Sequence, residues 1–138
     1  MNKDKVFLDT DVILDLLTQR EPHFEPAVEL FLEIQDQEIQ AYTSPVVIAN
    51  IFYILTRHFD RKKAIQSLMK LRTLVGVLNC GDRAIDSALS SDFTDFEDAV
   101  QYYTALENNI DILITRNIKD YKTATINIIT PLEYIRSR

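Results

Sequence analysis

The polar residues with the clearest chemical potential fall in three short clusters, at "FLDTD" (7–11), "SSDFTDFEDAV" (90–100) and "LITRNIKDY" (113–121). Their members of interest are Asp9, Asp11, Asp95, Asp98, Thr115, Asn117 and Asp120. Carboxylates are the hard oxygen ligands that Mg²⁺ prefers. Paired metals held by shared carboxylates can position a water and stabilise the leaving oxygen in phosphodiester hydrolysis. The clusters therefore indicate metal-assisted hydrolysis, provided that the fold brings them together.

The elements that must position these clusters are short apolar runs alternating with longer segments of helical period. Strands are predicted at 5–9, 39–43, 75–79, 111–115 and 126–130, and helices at 12–20, 25–35, 45–58, 61–74, 82–90 and 96–108. This alternation predicts a parallel sheet between layers of helices. In such sheets, sites lie beyond the carboxyl ends of the strands, where Asp9 and the segment 115–117 fall.

Each acidic cluster also has a purely structural explanation. Asp9 can cap the helix that follows it. Thr94 with Glu97 matches a capping box, which accounts for acids at the start of the helix 96–108. Asp98 is less well explained, because it lies a turn further in, beside the apolar Ala99. A carboxylate in that position needs a cation or a hydrogen-bond donor.

Composition restricts the class of protein. The chain has 138 residues, 46% hydrophobic and 26% charged, and we expect one domain over residues 1–138. The formal net charge of -6 argues against a protein that binds nucleic acid through its overall electrostatic field. Cys80 is the only cysteine, so there is no disulfide framework. No apolar run approaches the ~20 residues of a membrane helix, so we expect a cytoplasmic protein without a membrane partner.

Taken in order, five segments resemble a PIN domain, the nuclease fold found in VapC-type toxins of bacterial toxin–antitoxin pairs. They are "FLDTDVILDLL", "TSPVVIANIFYIL", "DFEDAVQYYTA", "ILITRNIKDY" and the closing strand with "TPLEYI". The resemblance implies a three-layer α/β/α sandwich with a five-stranded parallel sheet of order 3-2-1-4-5. It also implies Mg²⁺ or Mn²⁺ as cofactor and RNA as substrate.

The resemblance assigns roles to individual residues. Asp9 and Asp98 match the first and third acidic positions of the family. Asn117 stands at the fourth, or Asp120 does so through a water. The resemblance thus implies Asp9, Asp98 and Asn117 as catalytic residues, and Asp9, Asp98 and Asp120 as metal ligands. Asp11, Asp95 and Thr115 are expected beside them as secondary polar groups.

Asn50 departs from the family pattern. It lies in an otherwise apolar segment, where many PIN domains carry a glutamate directed at the metal. An amide there can still ligate a cation or order a water, but it adds no negative charge. With Asn117 also neutral, weaker metal binding is expected than for a full acidic set.

Two other functions compete with a nuclease. "VFLDTDVI" with "GDRAID" (81–86) is similar to motifs of HAD-type phosphohydrolases, in which Asp9 would be a nucleophile. A PIN-like scaffold that binds RNA or protein without cutting is the second alternative, because Asn50 and Asn117 replace acids.

The favoured interpretation is a metal-dependent endoribonuclease, the toxin half of a toxin–antitoxin pair. The resemblance further implies a homodimer and a small antitoxin. Arg116, next to the proposed metal ligands, is a candidate contact to RNA phosphate. The basic stretch "RHFDRKK" (57–63) is a weaker candidate and is better explained as a solvated helix start.

Overall fold

The computed structural model describes residues 3–138, and a five-stranded sheet lies at its centre. The strands are β1 (Asp4–Leu8), β2 (Ile39–Thr43), β3 (Val75–Val77), β4 (Ile112–Ile114) and β5 (Asn127–Ile129). They are ordered β3-β2-β1-β4-β5, and every neighbouring pair is parallel. The expected strand order is therefore confirmed.

Helices complete a three-layer α/β/α sandwich around this sheet. They are α1 (Thr10–Leu17), α2 (Phe24–Gln35), α3 (Pro45–His58), α4 (Arg61–Arg72), α5 (Asp82–Leu89), α6 (Phe96–Glu107) and α7 (Pro131–Arg136). A short 3₁₀ helix spans Ile118–Tyr121. Parallel strands need such crossover connections, and the helices they use cover the faces of the sheet.

Local capping signals account for where most helices begin. Ser44 accepts a hydrogen bond from the backbone of Val47 at 3.2 Å, with Pro45 in the first turn of α3, as predicted. Thr130 and Pro131 start α7 in the same way, although no helix was predicted there. The helix was missed in the sequence because it holds only six residues, which are too few to display a helical period.

The central strand β1 is buried over its last three residues. Val6, Phe7 and Leu8 are fully buried. β1 lies between β2 and β4 with helices above and below, so these three side chains have no solvent face, whereas Lys5 at the start of the strand is exposed. This burial anchors Asp9, the residue that follows the strand. Across residues 3–138, no helix has the length and apolar character needed to span a membrane.

Candidate active site

An acidic cleft lies at the carboxyl edge of the sheet, between the first turns of α1 and α6. It has a volume of about 180 Å³. Its lining residues are Asp9, Thr10, Asp11, Leu14, Arg20, Asp95, Glu97, Asp98, Gln101 and Asn117. Residues from all three sequence clusters meet here, although up to 108 positions separate them in the chain.

Asp9 is the most firmly held carboxylate of the acidic cleft, and it is 5% exposed. One oxygen caps α1, accepting from the backbone N–H of Thr10 at 2.7 Å. The other accepts from the hydroxyls of Thr115 at 2.8 Å and Tyr121 at 3.1 Å. Burial raises the pKa of Asp9, and these hydrogen bonds oppose that shift. Asp9 therefore caps α1 with one oxygen and faces the polar groups of the cleft with the other, so the structural and the functional interpretations both apply.

Asp11 faces the segment that follows β4. Its Oδ2 accepts from the backbone N–H of Arg116 at 3.1 Å and from the Asn117 amide at 3.0 Å. Its Oδ1 is buried and has no hydrogen-bond partner in the protein. Burial and the nearby charge of Asp9 raise the pKa of Asp11 to about 7.

Asp98 lies in the first turn of α6 and faces Asp9. Tyr121 donates to its Oδ1 at 3.4 Å, so one hydroxyl contacts two carboxylates. Burial, followed by the charges of Asp9, Asp95 and Asp120, raises the pKa of Asp98 to about 7. Burial and the charges of Asp9 and Asp98 also raise the pKa of Tyr121, which keeps its hydroxyl protonated as a donor.

The helix cap at α6 differs from the predicted one. Asp95, and not Thr94, occupies the N-cap position and accepts from the backbone N–H of Asp98 at 3.0 Å. An aspartate side chain caps as well as a threonine side chain. The helix therefore starts one residue later than a capping box on Thr94 requires, and Asp95 brings its charge to the acidic cleft.

Five residues that line the acidic cleft were not predicted as site residues, namely Thr10, Leu14, Arg20, Glu97 and Gln101. Glu97 had been explained by capping alone, and Gln101 lies one turn after Asp98 on the same helix face. Among residues 3–138, three buried side-chain atoms lack a hydrogen-bond partner, namely Thr10 Oγ1, Asp11 Oδ1 and Gln101 Oε1. All three residues line the acidic cleft.

Asn50 does not line the acidic cleft. Its amide nitrogen donates to Glu97 Oε2 at 3.0 Å. Glu97 does line the cleft, so Asn50 reaches the site through that carboxylate. Asn50, the polar residue of the apolar segment 43–55, therefore links α3 to α6 through this hydrogen bond.

Asp120 is exposed and belongs to a neighbouring cavity of about 240 Å³, together with Lys119 and Lys122. It does not line the acidic cleft, although its charge contributes to the raised pKa of Asp98. As placed, Asp120 stands at the rim of the site.

Arg116 is held by a buried carboxylate of α1. Its Nε lies 2.6 Å from Asp15 Oδ2, and its second contact, to Asp15 Oδ1, is 3.3 Å. The Asp15 side chain is 1% exposed and that of Arg116 is 24% exposed. Most of this guanidinium is therefore committed to a buried ion pair, and only part of it faces solvent.

The basic stretch 57–63 contacts aromatic rings that lie close to it in the sequence. Arg57 lies over the Tyr53 ring at 4.5 Å, and Lys63 lies over the Phe59 ring at 4.2 Å. Asp60 caps α4 through the Lys63 backbone at 2.8 Å. These contacts agree with a solvated helix start.

The oxygen-rich lining suits a divalent cation chemically. Within residues 3–138, no three His, Cys, Asp or Glu side chains are gathered as a metal-binding group. The acidic cleft nevertheless presents carboxylate and amide oxygens, the donors that Mg²⁺ and Mn²⁺ prefer. Two of those oxygens, on Asp11 and Gln101, are buried without a partner. A cation would satisfy them and would also relieve the repulsion between Asp9, Asp11 and Asp98.

The sheet order and the acidic cleft together define an α/β/α protein with a polar site at the carboxyl end of its central strand. A PIN domain family model matches residues 5–119, and the chain belongs to that family. Ribonuclease VapC1 of Aquifex aeolicus (strain VF5) is 24% identical to it, over 97% of this chain and 95% of that protein.

Solved structures share the fold at low sequence identity. A toxin–antitoxin complex from Klebsiella pneumoniae superposes with a TM-score of 0.69 and 18% identity, covering 91% of this chain and 97% of that one. Mycobacterium tuberculosis VapC20, described as a toxin that cleaves the sarcin–ricin loop, superposes with a TM-score of 0.64 and 18% identity, covering 78% of this chain and 86% of that one.

The phosphohydrolase alternative is no longer needed, because Asp82 and Asp86 lie exposed on α5, outside the acidic cleft.

Proposed function

We propose that this protein is a divalent-metal-dependent endoribonuclease that hydrolyses RNA phosphodiesters. The observation that carries the proposal is the meeting of Asp9, Asp11 and Asp98 in one cleft, where burial raises the pKa of each. The similarity to a ribonuclease along 97% of the chain supports the same activity.

The proposed site divides the work among the residues of the acidic cleft. Asp9 and Asp98 would hold Mg²⁺ or Mn²⁺, with Asn117 and Asp120 beside them, and the cation would supply Lewis acidity at the scissile phosphate. Thr115 and Tyr121 hold Asp9 in place through hydrogen bonds of 2.8 and 3.1 Å.

Asp11 is proposed as a secondary polar group of the site. Arg116 and Asn117 hold its Oδ2, and its buried Oδ1 is the oxygen that it would offer to the cation. Asn50 and Glu97 would act from the α6 side by holding one another, and Asp95 would add its charge while it caps the Asp98 backbone.

We further propose that the protein is the toxin of a toxin–antitoxin pair. A small antitoxin would be its partner. The toxin itself would act in the cytoplasm as a homodimer, each chain of which is a single domain over residues 1–138. The fold shared with a solved toxin–antitoxin complex supports a protein partner. The exposed part of Arg116 is available for an RNA phosphate beside its ion pair with Asp15.

A binding module without cleavage is the second candidate. This candidate is favoured by Asn50, whose side-chain amide donates a hydrogen bond to Glu97 and adds no charge to the acidic cleft. Such a module would retain RNA or a protein partner with an intact fold and no turnover.

Cleavage of defined single-stranded and hairpin RNAs with Mg²⁺ or Mn²⁺ tests the nuclease. The native protein is expected to cut only with the cation, and Asp98→Asn is expected to lower the rate at least about 100-fold. Asp86→Asn is the matched control, because Asp86 is exposed on α5 and lies outside the acidic cleft.

Three results would count against this assignment. Undiminished cutting by Asp98→Asn would remove Asp98 from the site. Cutting in EDTA would contradict the metal dependence. RNA retention by folded native protein without any cutting would establish the binding module instead.

A further inference from the structure

Gln101 is a buried amide at a position that would ordinarily be apolar. It lies on α6 and is 2% exposed. Ala105, one turn further along the same face, is fully buried and apolar. Buried polar side chains in native proteins are nearly always hydrogen-bonded. A glutamine in this position therefore needs a partner.

The Gln101 side chain has no such partner within the described part of the chain. Its Oε1 is buried and receives no hydrogen bond from any residue in 3–138. The residue lines the acidic cleft, together with Asp9 and Asp98. Once its carboxylate neighbours are ionised, they cannot satisfy this oxygen, because ionised carboxylates only accept hydrogen bonds.

A cation is the occupant that this arrangement favours. The acidic cleft has no group of three acidic or histidine side chains gathered for one metal ion among residues 3–138. A neutral amide oxygen adds a ligand without adding to the repulsion between Asp9, Asp11 and Asp98. The two other unpartnered atoms, on Thr10 and Asp11, line the same cleft.

We propose that Gln101 completes the oxygen set that holds the divalent cation of the acidic cleft, through its Oε1. The inference rests on the proposed metal-dependent function and adds to it a ligand on α6.

Binding of Mn²⁺, measured by calorimetry at neutral pH, tests this role independently of RNA cleavage. Gln101→Met keeps the length of the side chain and removes the oxygen, and its affinity is expected to fall at least about tenfold. Gln101→Glu restores an oxygen and is expected to bind at least as tightly as the native protein. Thr104→Val is the control, since Thr104 is fully buried on the same helix and donates to the Val100 carbonyl at 2.7 Å.

Thermal unfolding in EDTA separates a ligand from a packing residue. Loss of an unpartnered buried oxygen should leave the melting temperature of Gln101→Met unchanged or higher. A lower melting temperature in EDTA, with no recovery of Mn²⁺ binding in Gln101→Glu, would overturn the inference in favour of a structural role.

The two proposals fail in different ways. Native-like Mn²⁺ affinity in Gln101→Met would remove Gln101 from the cation site and leave the proposed metal-dependent nuclease intact. Absence of Mn²⁺ binding by the native protein would overturn both.

Discussion

Tyr121 shows how individual donors hold the acidic cleft together. Its hydroxyl contacts Asp9 at 3.1 Å and Asp98 at 3.4 Å, and the residue is 3% exposed. Asp9 and Asp98 were identified from the sequence as acids beside strand or helix ends. Tyr121 was not, because an aromatic residue in "IKDY" is more often a packing residue. Its role depends on the 3₁₀ helix Ile118–Tyr121, which turns the ring back towards the acids.

Tyr121→Phe is predicted to reduce the free energy of unfolding by about 1–2 kcal/mol at pH 7, because the buried Asp9 and the half-buried Asp98 lose a donor. Urea denaturation in EDTA measures the effect. Tyr103→Phe serves as the control, since no hydrogen bond to the Tyr103 hydroxyl is found within residues 3–138 and the residue also packs against the core. Equal losses in the two variants would contradict a specific role for the Tyr121 hydroxyl.

At the level of the elements, polar contacts on one side of the site join α1 to the segment that follows β4. Asp11 accepts from the backbone of Arg116, and Asp15, one turn later on α1, pairs with its guanidinium. The sequence indicated that α1 and the segment 115–117 would meet at the sheet edge. It did not indicate the ion pair, because Asp15 falls within the apolar segment "VILDLL" and its partner lies 101 residues away.

Arg116→Met is predicted to lower the free energy of unfolding by about 3 kcal/mol, because it leaves the buried Asp15 carboxylate without its partner. Urea denaturation at neutral pH is the measurement. Arg20→Met is the matched control on the same carboxylate. Arg20 lies 3.9 Å from Asp15 with 47% of its side chain exposed, so its loss should cost less than about 1 kcal/mol.

The double variant Asp15→Leu/Arg116→Met tests the same explanation from the other side. Removing both charges is expected to recover most of the stability lost in Arg116→Met. A double variant as unstable as Arg116→Met would mean that the arginine acts through its packing and not through Asp15.

The whole molecule should be less stable at neutral pH than under mild acid when no divalent cation is present. The folded-state pKa values of Asp11 and Asp98 are raised to about 7 from 3.8. Between those values the folded protein binds more protons than the unfolded chain, so these two groups make stability fall as pH rises from about 4 to about 7. A divalent cation binds the ionised carboxylates and should reverse the trend.

Melting temperatures at about pH 5 and about pH 8, in EDTA and in millimolar MgCl₂, measure this dependence. Asp98→Asn should flatten the slope in EDTA, because the asparagine does not titrate, and should reduce the gain from Mg²⁺. Asp86→Asn should leave both unchanged, since Asp86 is exposed on α5. Stability in EDTA that rises steadily through this range in the native protein, with the same slope in Asp98→Asn, would contradict the raised pKa values.

Local sequence determined a large part of the architecture. β2 and α3 have the predicted bounds, because the short segment "IQAYT" and the Ser44–Pro45 cap are short-range signals that each element carries by itself. Alternating strands and helices also determined that the sheet would be parallel. The strand order came from resemblance to the PIN family, since periodicity alone does not say which strands are neighbours.

The three acid clusters, too, could be read from the chain, because acids at strand ends and helix starts stand out against apolar neighbours. Only the tertiary structure decided which of these groups share one cleft. It directed Asn50 to Glu97, placed Asp120 at the rim, paired Arg116 with Asp15 and brought Gln101 beside Asp9 and Asp98. The physical reason is that hydrogen bonding and burial of a side chain depend on residues far away in sequence. Local periodicity carries no information about those partners.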